Sequence, residues 1–545
     1  MHQVILSGCM AAAHPAPATR HRKQPFDIGI RIGANGPAAQ VENVEMASLP
    51  PLARFSAALL LSLAAACGNA MARELTIALP GNVNTLDPDK TNTVGTDLSV
   101  IAHLYTPLVD RGPDLKLRPG LATRWEAVDD TTWRFTLREG VTFPNGEKLD
   151  AEAVKWNVAR VLDPATAARN RPWFANITEV RVVSPTVVEF LTRTPYPDLP
   201  AQMGMFFLMP PKWTADNNAN VSALGSGPYA LERFASGDRV VLTARPDYWG
   251  EKPAFERVTF RIMPEDSARV AAILAGDIDF ATALPVSELE RVNRSSRARA
   301  GSVPSTRVMF VKLNAARPPF QDNAKLWRAL NLAVDKEGIN QALMGGLGQV
   351  AACQPLSPAY FGFNPALKPI PYDPAAARKL LAEAGFPRGL SMELEVPTGR
   401  YLQAQDISQI VAAQLSEIGV NVSIREIEFG AWMSKFINQR NLGDAAYFGL
   451  AWPTLDAAGL LNFWEEGNPQ SFWPNAGYNR RAVAARSTTD PAKREALYRE
   501  LTAQLCEASP NIFLFFPPIT YAERRDIQWQ ARGDDWVRAF DMRPR

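Results

Sequence analysis

The stretch GLATRWEAVDDTTWRFTLREGVTFPNGEKLDAEAVKWN, from Gly120 to Asn157, decides the fold because its turn and periodicity signals come in a specific order. An aspartate pair at positions 129 and 130 predicts a turn. The strand that follows, residues 132–138, alternates apolar with polar side chains and so has one apolar face. Asn145-Gly146 predicts a second turn, and Asp150 can cap a helix that begins at Ala151. The segment therefore predicts a strand, a turn and a helix in close succession.

This segment resembles the block that marks the family 5 extracellular solute-binding proteins. These are the oligopeptide-, dipeptide- and nickel-binding class that serves ATP-binding cassette importers. Further segments resemble the family in the order in which it shows them: Leu75–Pro88 (LTIALPGNVNTLDP), Gly225–Gly250 (GSGPYALERFASGDRVVLTARPDYWG), Ile273–Pro285 (ILAGDIDFATALP) and Lys312–Ile339 (KLNAARPPFQDNAKLWRALNLAVDKEGI). The resemblance covers nearly all of the chain after residue 73.

The resemblance implies an α/β protein with the two-lobed periplasmic binding protein fold, of type II and the large class, and an extra subdomain inserted in the first lobe. The expected parts are the first lobe (73–115, 225–325 and 516–545), the inserted subdomain (116–224) and the second lobe (326–515). Crossovers near residues 325 and 515 would form a hinge, and a hinge that closes around a ligand is the usual mechanics of such a fold.

Local periodicity predicts the elements of the second lobe. The predicted helices and strands are helix 324–334, helix 374–384 closed by Gly385, helix 406–418 closed by Gly419, strand 420–427, helix 491–508 and strand 512–516. This alternation of helices and strands is typical of an α/β lobe.

Length and charge set the broad class. The 545 residues exceed the roughly 250–300 at which a single core stops growing, so at least two lobes are expected. After residue 72 the chain has 53 Lys and Arg against 53 Asp and Glu, a net charge of zero. No basic field is present to hold nucleic acid, so we expect no nucleic-acid partner. We also expect a monomer.

The start of the chain predicts export. Residues 1–45 are interpreted as an upstream extension and residues 46–72 as a signal peptide. The latter has Arg54, an apolar run over 55–66 and an Ala-x-Ala cleavage site at 70–72. The run is shorter than the roughly 20 residues of a membrane span, so we expect a periplasmic protein beginning at Arg73. Lipoprotein processing at Cys67 is the alternative, but Leu63 lies one position too far upstream for the usual pattern.

Few metal-ligating side chains remain after such cleavage. Cys353 and Cys506 either pair in an oxidising compartment or remain separate buried thiols, and the sequence leaves both open. His103 is the remaining histidine, and we expect a hydrogen-bonded core residue. We therefore predict no metal site and no cofactor.

The sequence also has no motif of a common catalytic site. It contains no Gly-x-Ser-x-Gly, no His-Glu-x-x-His and no phosphate-binding loop, and we interpret Gly225–Pro228 as a turn. The prediction is a binding protein and not an enzyme.

The first candidate binding segment is Pro397–Tyr401. In the dipeptide branch of the family, an arginine at this point holds the ligand carboxylate, and the resemblance assigns that role to Arg400 with Tyr401 beside it. A guanidinium suits the role because its fork can bind two oxygens. The alternative is a solvated arginine on a loop.

The second candidate segment is Phe448–Asp456, where the family has a tryptophan followed shortly by a polar residue. Trp452 would supply an apolar plate, and Asp456 would receive a ligand ammonium, although its spacing departs from that of the peptide binders. The alternative for Asp456 is a helix cap for the residues from Ala457 onward.

A third candidate is Trp173, with Arg169 and Arg171, because the metal-chelate branch has an arginine and a tryptophan near this point. That branch also uses an arginine in the segment that corresponds to Met203–Met209, which here is uncharged and is more typical of a core.

These observations predict a periplasmic protein that binds a peptide or a similar zwitterionic small molecule. Its partner would be the membrane permease of an ATP-binding cassette importer. The alternative ligand is an opine or a metal chelate, such as a nickel or metallophore complex.

Overall fold

A computed structural model describes residues 73–91 and 93–545. The expected upstream extension and signal peptide, including Cys67, lie outside these residues. The strands are β1 (Glu74–Leu79), β2 (Val109–Arg111), β3 (Leu117–Pro119), β4 (Ala122–Asp129), β5 (Thr132–Leu137), β6 (Ile177–Ser184), β7 (Val187–Thr192), β8 (Tyr229–Ala235), β9 (Arg239–Ala244), β10 (Arg257–Ile262), β11 (Phe280–Thr282), β12 (Ala298–Pro304), β13 (Val308–Leu313), β14 (Gln349–Val350), β15 (Leu390–Thr398), β16 (Val420–Glu428), β17 (Ala445–Leu450), β18 (Asn511–Phe516), β19 (Pro518–Arg524), β20 (Ile527–Gln528) and β21 (Arg543–Pro544).

The α-helices within the same described ranges are α1 (Ser99–Leu104), α2 (Ala151–Leu162), α3 (Arg171–Phe174), α4 (Leu199–Gln202), α5 (Pro211–Asp216), α6 (Asp266–Ala275), α7 (Leu289–Asn293), α8 (Ala324–Leu332), α9 (Lys336–Met344), α10 (Pro374–Glu383), α11 (Ala404–Glu417), α12 (Phe429–Met433), α13 (Ala457–Leu461), α14 (Ala476–Ser487) and α15 (Pro491–Ala508). None of them is long and apolar enough to cross a membrane.

The segment from Gly120 to Asn157 folds as predicted. β4 and β5 form an antiparallel pair, and the turn between them is held by Asp129, whose carboxylate accepts the Thr131 amide at 2.8 Å. Asp150 caps α2 by accepting the amides of Glu152 and Ala153, each at 3.1 Å. The local signals suffice for the turn and the helix start because each of these hydrogen bonds joins residues at most three positions apart.

The first sheet has seven strands in the order β12-β19-β11-β1-β10-β9-β8. β1 lies near its centre and runs parallel to β10 and β11. The turn at Gly225–Pro228 packs against this lobe so closely that a Cβ on Gly225 would lie 2.0 Å from the Leu104 carbonyl oxygen. Glycine is therefore required at this close approach.

The second sheet has six strands in the order β14-β18-β13-β17-β15-β16. β13 pairs with β17 and β18, so the chain enters this sheet before residue 326, the expected start of the second lobe. The crossovers are the short segments between β12 and β13 and between β18 and β19. The first crossover therefore lies at residues 305–307 and not near residue 325. The apolar run of β13 does not by itself indicate that it pairs with the strands of the second sheet.

A separate four-stranded sheet, in the order β4-β5-β7-β6, forms the framework of the segment expected to be the inserted subdomain. α2 packs on it, and Phe135 and Phe190 meet edge to face inside its core, with ring centroids 5.1 Å apart. The Met203–Met209 run is buried, as its composition indicated. Its side chains are divided between the core of this subdomain and the core under the first sheet.

The predicted helices of the second lobe are confirmed at α8, α10, α11 and α15, with ends within two residues of the expected ones. The structure also joins Cys353 to Cys506 in a disulfide. The bond ties the end of α15 to the loop after β14, so of the two arrangements that the sequence left open the structure contains the paired one.

Candidate functional site

Arg400 lies in the turn between β15 and α11, directly after Gly399, which has a φ of 77°. Water reaches its side chain, yet burial by the surrounding protein lowers the pKa of its guanidinium. This combination is expected of a group that lines a cleft. Its Cζ lies 5.6 Å from the centre of the Tyr401 ring, and no carboxylate of the described residues pairs with it.

Arg307 is a second cation at this place, and sequence reasoning missed it. It lies in the crossover before β13, and its Nη2 is 3.1 Å from Asp535 Oδ2. After burial, the positive charge of Arg307 is the next cause that lowers the pKa of Arg400, while Asp535 acts in the opposite direction. Two guanidinium groups against one carboxylate leave a local positive charge, which suits an anionic group of a ligand.

Tyr401 positions this turn. Its hydroxyl donates to the Gly449 carbonyl oxygen at 3.2 Å, and its ring meets Tyr447 and Phe448 edge to face at 6.0 and 6.5 Å. The contacts fasten the turn onto β17, so the side chain of Arg400 projects from a rigid support.

Trp452 and Trp173 meet across the cleft. Their ring centroids are 6.0 Å apart in an edge-to-face arrangement, and Phe463 packs on the other side of Trp452 at 5.8 Å. The Trp452 amide donates to the Tyr360 hydroxyl at 2.8 Å, which fixes its backbone. The structure thus brings together two predicted site residues that are far apart in the sequence.

Asp456 has partners other than a ligand, and its predicted role as an ammonium acceptor is corrected here. Its carboxylate binds the Arg494 guanidinium through two hydrogen bonds of 2.6 and 2.8 Å. Oδ1 also accepts the Ala458 amide at 2.9 Å, which caps α13. Because both oxygens are occupied and the residue is only 6% exposed, we no longer assign Asp456 to the ligand.

Arg494 also faces Asp198, which comes from the other side of the cleft. Nη2 of Arg494 lies 3.9 Å from Asp198 Oδ1, and both side chains are buried. Burial, and secondarily the negative charge of Asp456, raises the pKa of Asp198 to about 7. Asp198 and Asp456, with Arg494 near both, are therefore enclosed where the two sides of the cleft meet.

Two further contacts bridge the same gap. Arg111 donates to the Thr454 carbonyl oxygen at 2.6 Å, and Thr489 donates to Asp130 at 2.8 Å. Together with the Trp173–Trp452 contact, they show that the structure is a closed arrangement of the cleft.

One cavity, of about 280 Å³, adjoins this region at the crossover and is lined by Pro113–Leu115, Val303–Thr306 and Ser357–Ala359. A larger one, of about 650 Å³, lies elsewhere, and none of the predicted site residues lines it.

His103 is a core residue. Its Nδ1 lies 2.7 Å from the Ser99 carbonyl oxygen and its Nε2 accepts the Ala539 amide at 2.9 Å, so the ring is neutral, and burial lowers its pKa to about 3. Within residues 73–91 and 93–545, no group of three or more His, Cys, Asp or Glu side chains is arranged to hold a metal ion. Arg169 and Arg171 are exposed, the first in a turn and the second at the start of α3.

Comparison with known proteins gives the family. The sequence profile described as "Bacterial extracellular solute-binding proteins, family 5 Middle" matches residues 116–472. The chain is 27% identical over 474 residues to the glutathione-binding protein GsiB of Salmonella paratyphi A, a match that covers 84% of this chain and 91% of GsiB.

Solved structures show the same fold. The periplasmic binding protein DppA of Helicobacter pylori, in complex with the peptide STSA, has a TM-score of 0.74 at 21% identity and covers 86% of this chain and 98% of DppA. NikA of Brucella suis, in complex with Fe(III)-EDTA, has a TM-score of 0.78 at 24% identity and covers 87% of this chain and 100% of NikA. The fold is therefore the two-lobed periplasmic binding protein fold of type II.

Proposed function

Because this chain belongs to the bacterial extracellular solute-binding proteins of family 5, we propose that it captures a peptide or a similar zwitterionic solute between its lobes and delivers it to an ATP-binding cassette importer. Proteins of this family bind small solutes and work with the permeases of such importers. The similarity to a glutathione-binding protein and to a peptide complex supports a peptide-like ligand.

The single observation that carries the proposal is Arg400. It is a water-accessible arginine without a carboxylate partner among the described residues, held in the cleft beside Arg307. A solute that fills the cleft would remove Arg400 from water, and a charge taken out of water needs a counter-charge, so a ligand carboxylate is the natural partner. Charge-assisted hydrogen bonds of this kind are the strong ones in binding sites.

In place of Asp456, Asp535 is the carboxylate that would bind the ammonium group of the ligand. Its carboxylate keeps about a third of its surface exposed, lies 3.1 Å from Arg307, and is near enough to Arg400 for its charge to raise the pKa of that group. An oxygen that already accepts from Arg307 has lone pairs left for a ligand amine. A zwitterionic solute would then span Arg400 and Asp535.

The second candidate ligand is an opine or a metal chelate. It is favoured by the pairing of Arg307 with Arg400, since two guanidinium groups suit a ligand with several carboxylates. The similarity of the fold to a protein bound to Fe(III)-EDTA, a polycarboxylate chelate, is consistent with this candidate.

Mass spectrometry of the solute that co-purifies with the protein tests the proposal and separates the candidates. A metal-free dipeptide or tripeptide supports the leading proposal. A metal complex or an opine supports the second one. A protein that is isolated without solute and gives no heat with peptides, opines or chelates contradicts both.

The proposal also covers the cellular location and the oligomeric form of the protein. It would be exported, begin at Arg73, work in the periplasm as a monomer, catalyse no reaction and bind no nucleic acid. N-terminal sequencing of the mature protein checks the first point, and a diacylated Cys67 would contradict it.

A further inference from the structure

The cavity of about 650 Å³ lies outside the cleft between the lobes, because none of its lining residues falls within 308–516. Its walls come from the β2–β3 hairpin, the end of β5, the loop after β9 and the C-terminal segment. The side chains that matter for its chemistry are Asp110, Arg118, Arg138, Trp249, Arg538 and Asp541. Its volume falls within the usual range of small-molecule pockets, about 300–1,000 Å³.

Four buried polar atoms of the lining residues make no hydrogen bond among the described residues. They are Tyr105 Oη, Arg138 Nε, Arg538 Nε and Asp541 Oδ2, the last of which lies 3.6 Å from Arg532 Nη1. Arg538 is only 3% exposed, and burial lowers the pKa of its guanidinium. These atoms have almost no accessible surface, so contacts to a molecule in the cavity would come from the accessible atoms of the wall.

The charges in the wall are largely balanced, with one exception. Asp110 binds Arg118 at 2.7 Å and Arg538 at 2.9 Å, and Arg543 binds Glu251 at 2.8 Å. Arg138 forms no ion pair in the part of the chain that the structure describes; its Cζ lies instead over the Trp249 ring, 4.8 Å from the centroid. The cavity thus offers one free positive charge beside an aromatic wall.

The aromatic wall is rigid. The Trp249 indole donates to the Ser226 carbonyl oxygen at 3.1 Å, and the Tyr248 ring packs on Trp249 with centroids 5.1 Å apart. Phe540 also lines the cavity. Flat apolar surfaces of this kind stack on planar ligands.

We propose that this cavity is a second small-molecule site, which takes an organic monoanion with a planar, largely apolar body. The anionic group accepts from the Arg138 guanidinium, and the body lies against Trp249 and Phe540. The site is separate from the cleft, because none of its lining residues falls within 308–516.

The probe for the test is 1-anilinonaphthalene-8-sulfonate, which has one sulfonate on an aromatic body and becomes fluorescent in apolar surroundings. Titration of the full protein should give saturable binding with a stoichiometry of one. Arg138→Gln, which removes the charge and keeps hydrogen-bonding atoms, should weaken binding at least about tenfold. Arg400→Gln is the matched control in the cleft and should leave the titration unchanged.

A second variant guards against loss of folding in Arg138→Gln. Gln530 is exposed at the rim of the cavity, so Gln530→Trp should fill the entrance without disturbing the core, and it should abolish the saturable signal. The proposal is overturned if the probe does not saturate, if Arg400→Gln removes the signal, or if folded Arg138→Gln and Gln530→Trp both bind as the wild type does.

Discussion

Arg494 of the second lobe lies 3.9 Å from Asp198 on the opposite wall of the cleft, and both side chains are buried at this contact. Arg494 is already bound by Asp456, so closure brings a second carboxylate to an arginine whose charge is neutralised. Closure therefore removes Asp198 from water without giving it a free counter-ion.

This relationship predicts that solute binding depends on pH. In an open cleft, water would return the pKa of Asp198 toward its usual 3.8, whereas in the closed one it is about 7. Closure thus takes up a proton between these values, so affinity should fall as the pH rises through this window and level off above it. Asp198→Asn should bind about tenfold or more tightly than the wild type at pH 8.

Calorimetry from pH 5 to pH 8 on the wild type and on Asp198→Asn measures this dependence. Asp130→Asn, which alters the exposed contact with Thr489, is the control and should keep the wild-type slope. A slope of equal size in Asp198→Asn would contradict the assignment.

Asp456→Asn should destabilise the protein even without solute. Asparagine can still cap α13, but it leaves Arg494 buried without its bidentate partner, and breaking such a pair costs about 3–5 kcal/mol. Asp490, which caps α15 in an exposed position, offers a matched control, and Asp490→Asn should cost much less. Urea unfolding compares the two, and equal losses would show that only the caps matter.

The disulfide gives a stability prediction of its own. Cys353 and Cys506 are 153 residues apart, and the chain-entropy estimate for closing such a loop is about 4–5 kcal/mol. The double variant Cys353→Ala with Cys506→Ala should unfold at a correspondingly lower urea concentration. Dithiothreitol should lower the midpoint of the wild type and leave that of the double variant unchanged; two free thiols in periplasmic wild-type protein would refute the pairing.

Lys312 should make stability rise with pH. It is 3% exposed in β13, its Nζ lies over the Trp464 ring at 5.3 Å, and burial lowers its pKa from 10.5 to about 7. Between these values the unfolded chain holds a proton that the folded protein does not, so this group's contribution to stability rises with pH across the window. Lys312→Met should therefore stabilise the protein more at pH 7 than at pH 9.5.

Lys336 provides the contrast for that measurement. It is also buried, with a pKa lowered to about 8, but its Nζ donates to the Asn331 carbonyl oxygen at 2.9 Å. Lys336→Met would leave this oxygen unsatisfied, so it should destabilise at both pH values. If both variants gain stability alike, burial of charge explains both, and the hydrogen bond of Lys336 to Asn331 adds no measurable stability.

The sequence predicts what is local and leaves out what depends on the tertiary fold. Asp150 and Ala151 mark a helix start because a cap needs only neighbouring residues. The sequence does not show that Arg494 would take the Asp456 carboxylate, since 38 residues separate them and many arginines compete for that role. The same holds for Arg307 and Asp535, which meet only because two crossovers bring the C-terminal segment back beside the hinge.

The last prediction concerns the carboxylate pole. Arg400→Gln should weaken binding of the solute identified by mass spectrometry by roughly tenfold to a hundredfold, since a charge-assisted hydrogen bond contributes about 1.5–3 kcal/mol. Arg388, an exposed arginine just before the opposite end of β15, is the matched control, and Arg388→Gln should bind as the wild type does. Trp452→Ala should also weaken binding, by removing the apolar wall that meets Trp173.

The carboxamide form of the same solute decides whether Arg400 acts on the carboxylate itself. If it does, amidation and Arg400→Gln remove one and the same interaction, so the two losses should not add in a double-mutant cycle. Additive losses would mean that Arg400 acts elsewhere and that Arg307, whose pair with Asp535 lies at the crossover, holds the carboxylate in its place. Calorimetry on the four combinations of protein and ligand distinguishes these outcomes, because only direct contact gives a coupling energy close to the full loss.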